Sequence, residues 1–80
     1  MACFDFFWTP LAEQKIGERQ IRREEVEHVI CHPVIRDVSR SSDRLVAKGY
    51  TESGEWLVCV YEMIDDITAC PVTAYRPEVE

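Results

Sequence analysis

The sequence predicts an α+β domain: an N-terminal strand, two helices, then a four-stranded antiparallel meander packed on those helices. Three observations carry this. Val, Ile, Tyr, Trp and Thr crowd Leu45 to Thr51, Trp56 to Ile64 and Thr68 to Tyr75, with Glu52-Ser53-Gly54 and Asp65-Asp66 supplying turn chemistry between them. Two helical patterns precede that run, and strands gathered after a helical hairpin favour helices on one face of an antiparallel sheet. Finally, 80 residues with 46% hydrophobic side chains suit one core, so residues 1–80 read as a single domain with 77–80 a loose tail.

Taken in order, Cys3 to Trp8 is short, aromatic and β-prone. Thr9-Pro10 follows as an N-cap with proline at the first helical position, opening a helix over Leu11 to Arg19 with Leu11, Ala12 and Ile16 toward one side. A second helix starts after Ile21, carries the apolar stripe Val26, Val29 and Ile30, and stops at Pro33. Val34 to Val38 then forms a short strand, and Ser39 to Asp43 a polar loop into the meander. Both alternate sets of Trp56 to Ile64 are apolar apart from Glu62, the pattern of a central strand. That carboxylate sits either near the strand end on the open face, touching solvent, or in a site.

Composition narrows the function classes. No apolar run reaches the roughly 20 residues that cross a bilayer, and the start lacks the basic-then-apolar order of a secretory signal, so a cytoplasmic protein without membrane contact is expected. Cys3, Cys31, Cys59 and Cys70 are widely spaced with no CxxC, and three of them sit inside apolar segments where thiols behave as small hydrophobes, so no disulfide framework is expected. A chain this short has a small stability margin, so a partner or a homodimer interface using Phe4, Phe6, Phe7, Trp8 or Trp56 would supplement it.

The net charge of −6 is uneven: residues 1–48 balance eight basic against eight acidic side chains, whereas residues 49–80 hold one basic and seven acidic. Nucleic-acid contact would therefore fall to Arg36, Arg40, Arg44 and Lys48, which recur at a spacing of four. The plain alternative is a solvated edge with salt-bridged arginines. His28, Cys31 and His32 share a helix face as weak zinc candidates without an obvious fourth ligand, so no metal and no cofactor is assigned. Phosphate-loop, HExxH and G-x-S-x-G motifs are absent.

Cutting RNA through its own 2′-hydroxyl needs a base, an acid and cations, but no metal. Glu62, Tyr75, Arg40, Arg44, Lys48 and Arg76 could supply those roles from neighbouring strands.

Phe6-Phe7-Trp8, Glu24-Glu25-Val26, Arg44-Leu45-Val46-Ala47-Lys48-Gly49-Tyr50-Thr51, Leu57-Val58-Cys59-Val60-Tyr61 and Val72-Thr73-Ala74-Tyr75-Arg76-Pro77 together resemble the pattern of the BrnT-like toxins of bacterial type II toxin–antitoxin systems. The resemblance implies a compact relative of the RelE-type ribonuclease fold that inhibits translation by cutting RNA and is neutralised by a cognate antitoxin protein. It also supports phosphate binding by Arg44, to which the reading of the residues themselves adds Arg40 and Lys48, with Glu62, Tyr75 and Arg76 as catalytic candidates. A non-catalytic member acting through protein binding is the alternative.

Two departures bear on this. Arg19-Gln20 stands where such toxins commonly carry His-Gly. Tyr75 stands at their usual last-strand arginine, with Arg76 one place later, so the cation would face the opposite way unless a bulge restores it.

Overall fold

The computed structural model describes residues 4–39 and 44–77. Its elements are β1 (Asp5–Phe6), α1 (Pro10–Glu18), α2 (Arg23–Cys31), β2 (Ile35–Val38), β3 (Leu45–Tyr50), β4 (Trp56–Met63) and β5 (Thr68–Tyr75). The meander β2 to β5 is antiparallel throughout. β1 departs from the expected architecture by joining β5 in parallel, which makes one five-stranded mixed sheet of order β1-β5-β4-β3-β2. Two backbone bonds hold that short strand, Asp5 N–H to the Ile67 carbonyl and Phe7 N–H to that of Ala69.

Local chemistry sets the helix ends. Thr9 Oγ1 accepts from the Ala12 N–H at 3.1 Å, with Pro10 at the first helical position. At the other end, the Ile21 and Gln20 N–H groups bond back to Ile16 and Gly17, closing α1 with Gln20 at φ 58°. In α2 the Glu25 carboxylate accepts the Arg22 N–H at 2.9 Å, satisfying one orphan donor of the first turn. His32 and Pro33 follow the last helical residue, Cys31.

Both helices cover the same sheet face, α1 over β5 and α2 over β3 and β4. Val26, Val29 and Ile30 are fully buried against Ala47, Leu57, Cys59 and Tyr61, with Ala69 and Ala74 continuing the core. Close packing dictates composition here: a Cβ on Gly49 would lie 3.3 Å from the His32 carbonyl oxygen and the Val34 nitrogen, so the chain after α2 passes directly over β3. Phe4, Phe6 and Trp8 are partly buried and pack against this core, and Trp8 Nε1 donates to Glu27 Oε2 at 2.8 Å. Phe7 and Leu11 are exposed, so Leu11 does not share the buried side of Ala12 and Ile16.

Alternation along the strands sends the remaining residues to the opposite face. Between β4 and β5 the register shifts at Val60/Tyr61, where Val60 faces Thr73 but Tyr61 faces Pro71. Val72 is the extra residue, and the bulge lies upstream of Tyr75.

Candidate functional site on the open sheet face

No element packs on the second sheet face among the described residues, and the cross-strand register arranges its side chains in rows. One row runs Ile35, Lys48, Val58, Tyr75, and a second runs Asp37, Val46, Val60, Thr73. Tyr50 and Trp56 pair at the end beyond Lys48, edge to face with ring centroids 4.9 Å apart. Toward the opposite end lie Arg44, Glu62 and Cys70.

This lattice separates the residues that the sequence grouped. Arg44 Nε donates to Glu62 Oε2 at 2.6 Å, so the two form an exposed ion pair. Tyr75 and Lys48 share a row with one strand between them, about 10 Å apart across the sheet. Glu62, by contrast, lies four residues along β4 from the partner of Tyr75, so their backbones are about 14 Å apart.

Arg76 is not on this face. The bulge does not restore it: Tyr75 projects to the open side, and the Arg76 guanidinium turns to the end of α1. There Nη1 donates to the Arg19 carbonyl at 2.8 Å and Nη2 to that of Gln20 at 3.2 Å, while Nε contacts Glu55 at 3.3 Å. Its geometry is that of a helix C-terminal clamp, with a cation beside the negative end of the helix dipole. Arg40 lies outside the described residues, as do Cys3, most of the 39–43 loop and the tail beyond Pro77.

Sequence reasoning passed over Arg19 as a site residue. Its Nη1 reaches Thr73 Oγ1 at 3.3 Å, at the margin of the open face, and the Lys15 carbonyl at 3.3 Å. No carboxylate pairs with Arg19 or with Lys48 among the described residues. The available signal was the Arg-Gln substitution itself, which puts a cation where a proton carrier was sought.

The zinc candidates do not converge. His28 and His32 rings lie tilted with centroids 4.9 Å apart, and Cys31 is disulfide-bonded, against the expectation that the cysteines form no disulfide framework. Among the described residues no group of three His, Cys, Asp or Glu side chains is placed to hold a metal ion. Cys59 and Cys70 are free; burial pushes the Cys59 thiol up to about 12. Burial also raises the Tyr61 phenol, an effect that the nearby Arg36 guanidinium opposes. A cleft of about 490 Å³ takes Leu45, Tyr61 and Met63 from the helix-facing side together with Phe4 and Arg36; none of the proposed catalytic side chains lines it. Among the described residues no helix is long and apolar enough to cross a membrane.

An α+β domain with one sheet face sealed by helices and one left open is the class this arrangement defines. The chain belongs to the DUF4258 family, a domain of unknown function, whose model matches residues 8–76. No curated protein and no solved structure matches it.

Proposed function

We propose that this DUF4258 domain is the toxin component of a bacterial toxin–antitoxin pair, a BrnT-like, metal-independent ribonuclease that inhibits translation and is held in check by a cognate antitoxin protein. The observation that supports the reading best is the transverse row joining Lys48 to Tyr75 on the open face, with the Tyr50–Trp56 pair beside it. A cation for phosphate charge and a phenol for proton transfer supply two of the roles that cleavage through the 2′-hydroxyl needs, the cation and one of the two proton-transfer groups. Tyr75 is the acid–base candidate at this end of the sheet; Glu62, held by Arg44, would act elsewhere on the bound strand or serve the fold.

Inducible expression in bacteria, with growth and RNA integrity followed together, tests the reading. Growth arrest with RNA fragmentation, and cleavage by the pure protein in excess chelator, is the expected result; intact RNA and unaffected growth would reject it.

A second reading, a non-catalytic member of the fold acting through protein binding, draws on one specific feature. Ile35, Val46, Val58 and Val60 give the same face an apolar middle, while Arg44 and Arg76 are already engaged by carboxylates. Tight binding to a partner protein without growth inhibition or RNA damage would select it.

A further inference from the structure

Resting on the RNA-directed reading above, we infer that single-stranded RNA crosses the open face with its phosphates on Lys48 and Arg19 and a base stacked on the Tyr50–Trp56 pair. Arg44 and Arg76, the cations that sequence comparison would favour, are not its contacts.

Charge pairing decides which cations are available. Arg44 is bonded to Glu62 at 2.6 Å, and Arg76 is bonded to Glu55 and to two carbonyls, so each would have to give up partners before meeting a phosphate. Among the described residues Lys48 makes no ion pair, and Arg19 touches only a hydroxyl and a carbonyl oxygen. These two unneutralised cations bracket the Tyr75 side of the face: Lys48 lies across Val58 from Tyr75, and Arg19 reaches Thr73, two residues before Tyr75 on the same strand. A backbone tracking from one to the other passes over the phenol.

The aromatic pair supplies what an acidic protein cannot obtain from charge. Tyr50 is 53% exposed, and its edge-to-face contact with Trp56 fixes both rings at the sheet surface, next to Lys48 along β3. Every base has a π-face, so such a platform binds without sequence preference and compensates for the repulsion expected at a net charge of −6. Double-stranded RNA keeps its bases stacked inside the helix and cannot use it.

Fluorescence anisotropy of a dye-labelled oligouridylate, titrated with the protein over a range of salt concentrations, tests the assignment. Lys48→Gln and Arg19→Gln should each flatten the log Kd against log salt slope by about 0.7, the increment for one phosphate contact on a single strand. Trp56→Ala should weaken binding roughly tenfold while leaving the slope unchanged. Arg44→Gln should leave the slope as in the parent protein. Circular dichroism establishes that each variant is folded, and Tyr50→Ala stands in for Trp56→Ala if the latter unfolds. A slope that falls in Arg44→Gln but not in Lys48→Gln or Arg19→Gln, or stacking variants that bind like the parent, overturns the inference while leaving RNA cleavage intact. Failure of the parent to bind or cut any RNA, with or without capture of a protein partner, overturns the ribonuclease reading as well.

Discussion

Arg76 Nη1 donates to the carbonyl oxygen of Arg19 at 2.8 Å, tying the end of the last strand to the end of the first helix across 57 residues of sequence. With the bonds to Gln20 and Glu55, it joins the chain just after α1, the turn before β4 and the end of β5 at one corner of the domain. Arg76→Ala leaves helix-terminal carbonyls to water and Glu55 without its partner. Charged hydrogen bonds are worth about 1.5–3 kcal/mol when dry, and the side chain is 36% exposed, so solvent screening reduces the expected loss to about 1 kcal/mol. Urea denaturation measures it; an unchanged midpoint would mean the clamp is ornamental.

Gln20 occupies a left-handed conformation, φ 58°, at the position that closes α1. A side chain there costs about 1–2 kcal/mol, partly offset by the greater freedom glycine has in the unfolded chain. Gln20→Gly should therefore raise stability by about 0.5–1 kcal/mol, seen as a higher thermal midpoint. Destabilisation would require a contact of the Gln20 side chain to be worth more than the strain.

Gly49 has the opposite requirement. Its φ is ordinary, but an added Cβ meets three backbone atoms, of His32, Pro33 and Val34, at 3.3–3.4 Å, and backbone cannot swing away as a side-chain tip can. Gly49→Ala is expected to cost about 1–2 kcal/mol by overpacking between α2 and β3, read from the denaturation midpoint.

Cys59 couples stability to alkaline pH. Burial raises its thiol from 9.0 to about 12, so the folded state retains a proton that the unfolded chain gives up. The contribution is fully present below about pH 9 and is lost as pH rises toward 12, a window in which the unfolded state binds fewer protons and stability must fall. Tyr61, also raised by burial, acts in the same direction. Stability measured from pH 8 to 11 should decline less steeply in Cys59→Ala than in the parent, although the variant starts from a lower value because a buried sulfur has been removed. Parallel curves would show that the thiol does not titrate between the two states.

Much of the fold was legible because its signals are local. Turn residues between β-prone segments gave the meander, two-sided apolarity gave β4 its central place, and the Thr9-Pro10 start and the stripe of Val26, Val29 and Ile30 placed the helices. The parallel pairing of β1 was not legible, since it rests on two residues whose partners lie beyond the whole meander. The pairing of the candidate site residues was hidden for the same reason. Arg44, Glu62, Tyr75 and Arg76 were recognisable as polar residues on neighbouring strands, but which cations are already satisfied depends on contacts 18, 21 and 57 residues apart. Side-chain alternation correctly warned that Tyr75 and Arg76 would diverge, and the bulge lies too early in β5 to bring Arg76 back.

The separation of Glu62 from Tyr75 turns that divergence into a kinetic test of the ribonuclease reading. About 14 Å of sheet lies between their backbones, and the Glu62 carboxylate is held by Arg44, so the two are assigned to different places on the bound strand. Tyr75 shares its row with Lys48, which makes no ion pair among the described residues, whereas Glu62 has already given a carboxylate oxygen to Arg44. Tyr75→Phe keeps the ring on the open face and removes only the hydroxyl; it should lower the RNA cleavage rate by about 10²–10⁴-fold, with affinity for the oligonucleotide little changed. Glu62→Gln should stay within a few-fold of the parent, and its stability should shift by less than about 1 kcal/mol because the ion pair it weakens is exposed. The reverse pattern, a dead Glu62→Gln beside an active Tyr75→Phe, would move the chemistry to the Arg44 end of the sheet and with it the path of the bound strand.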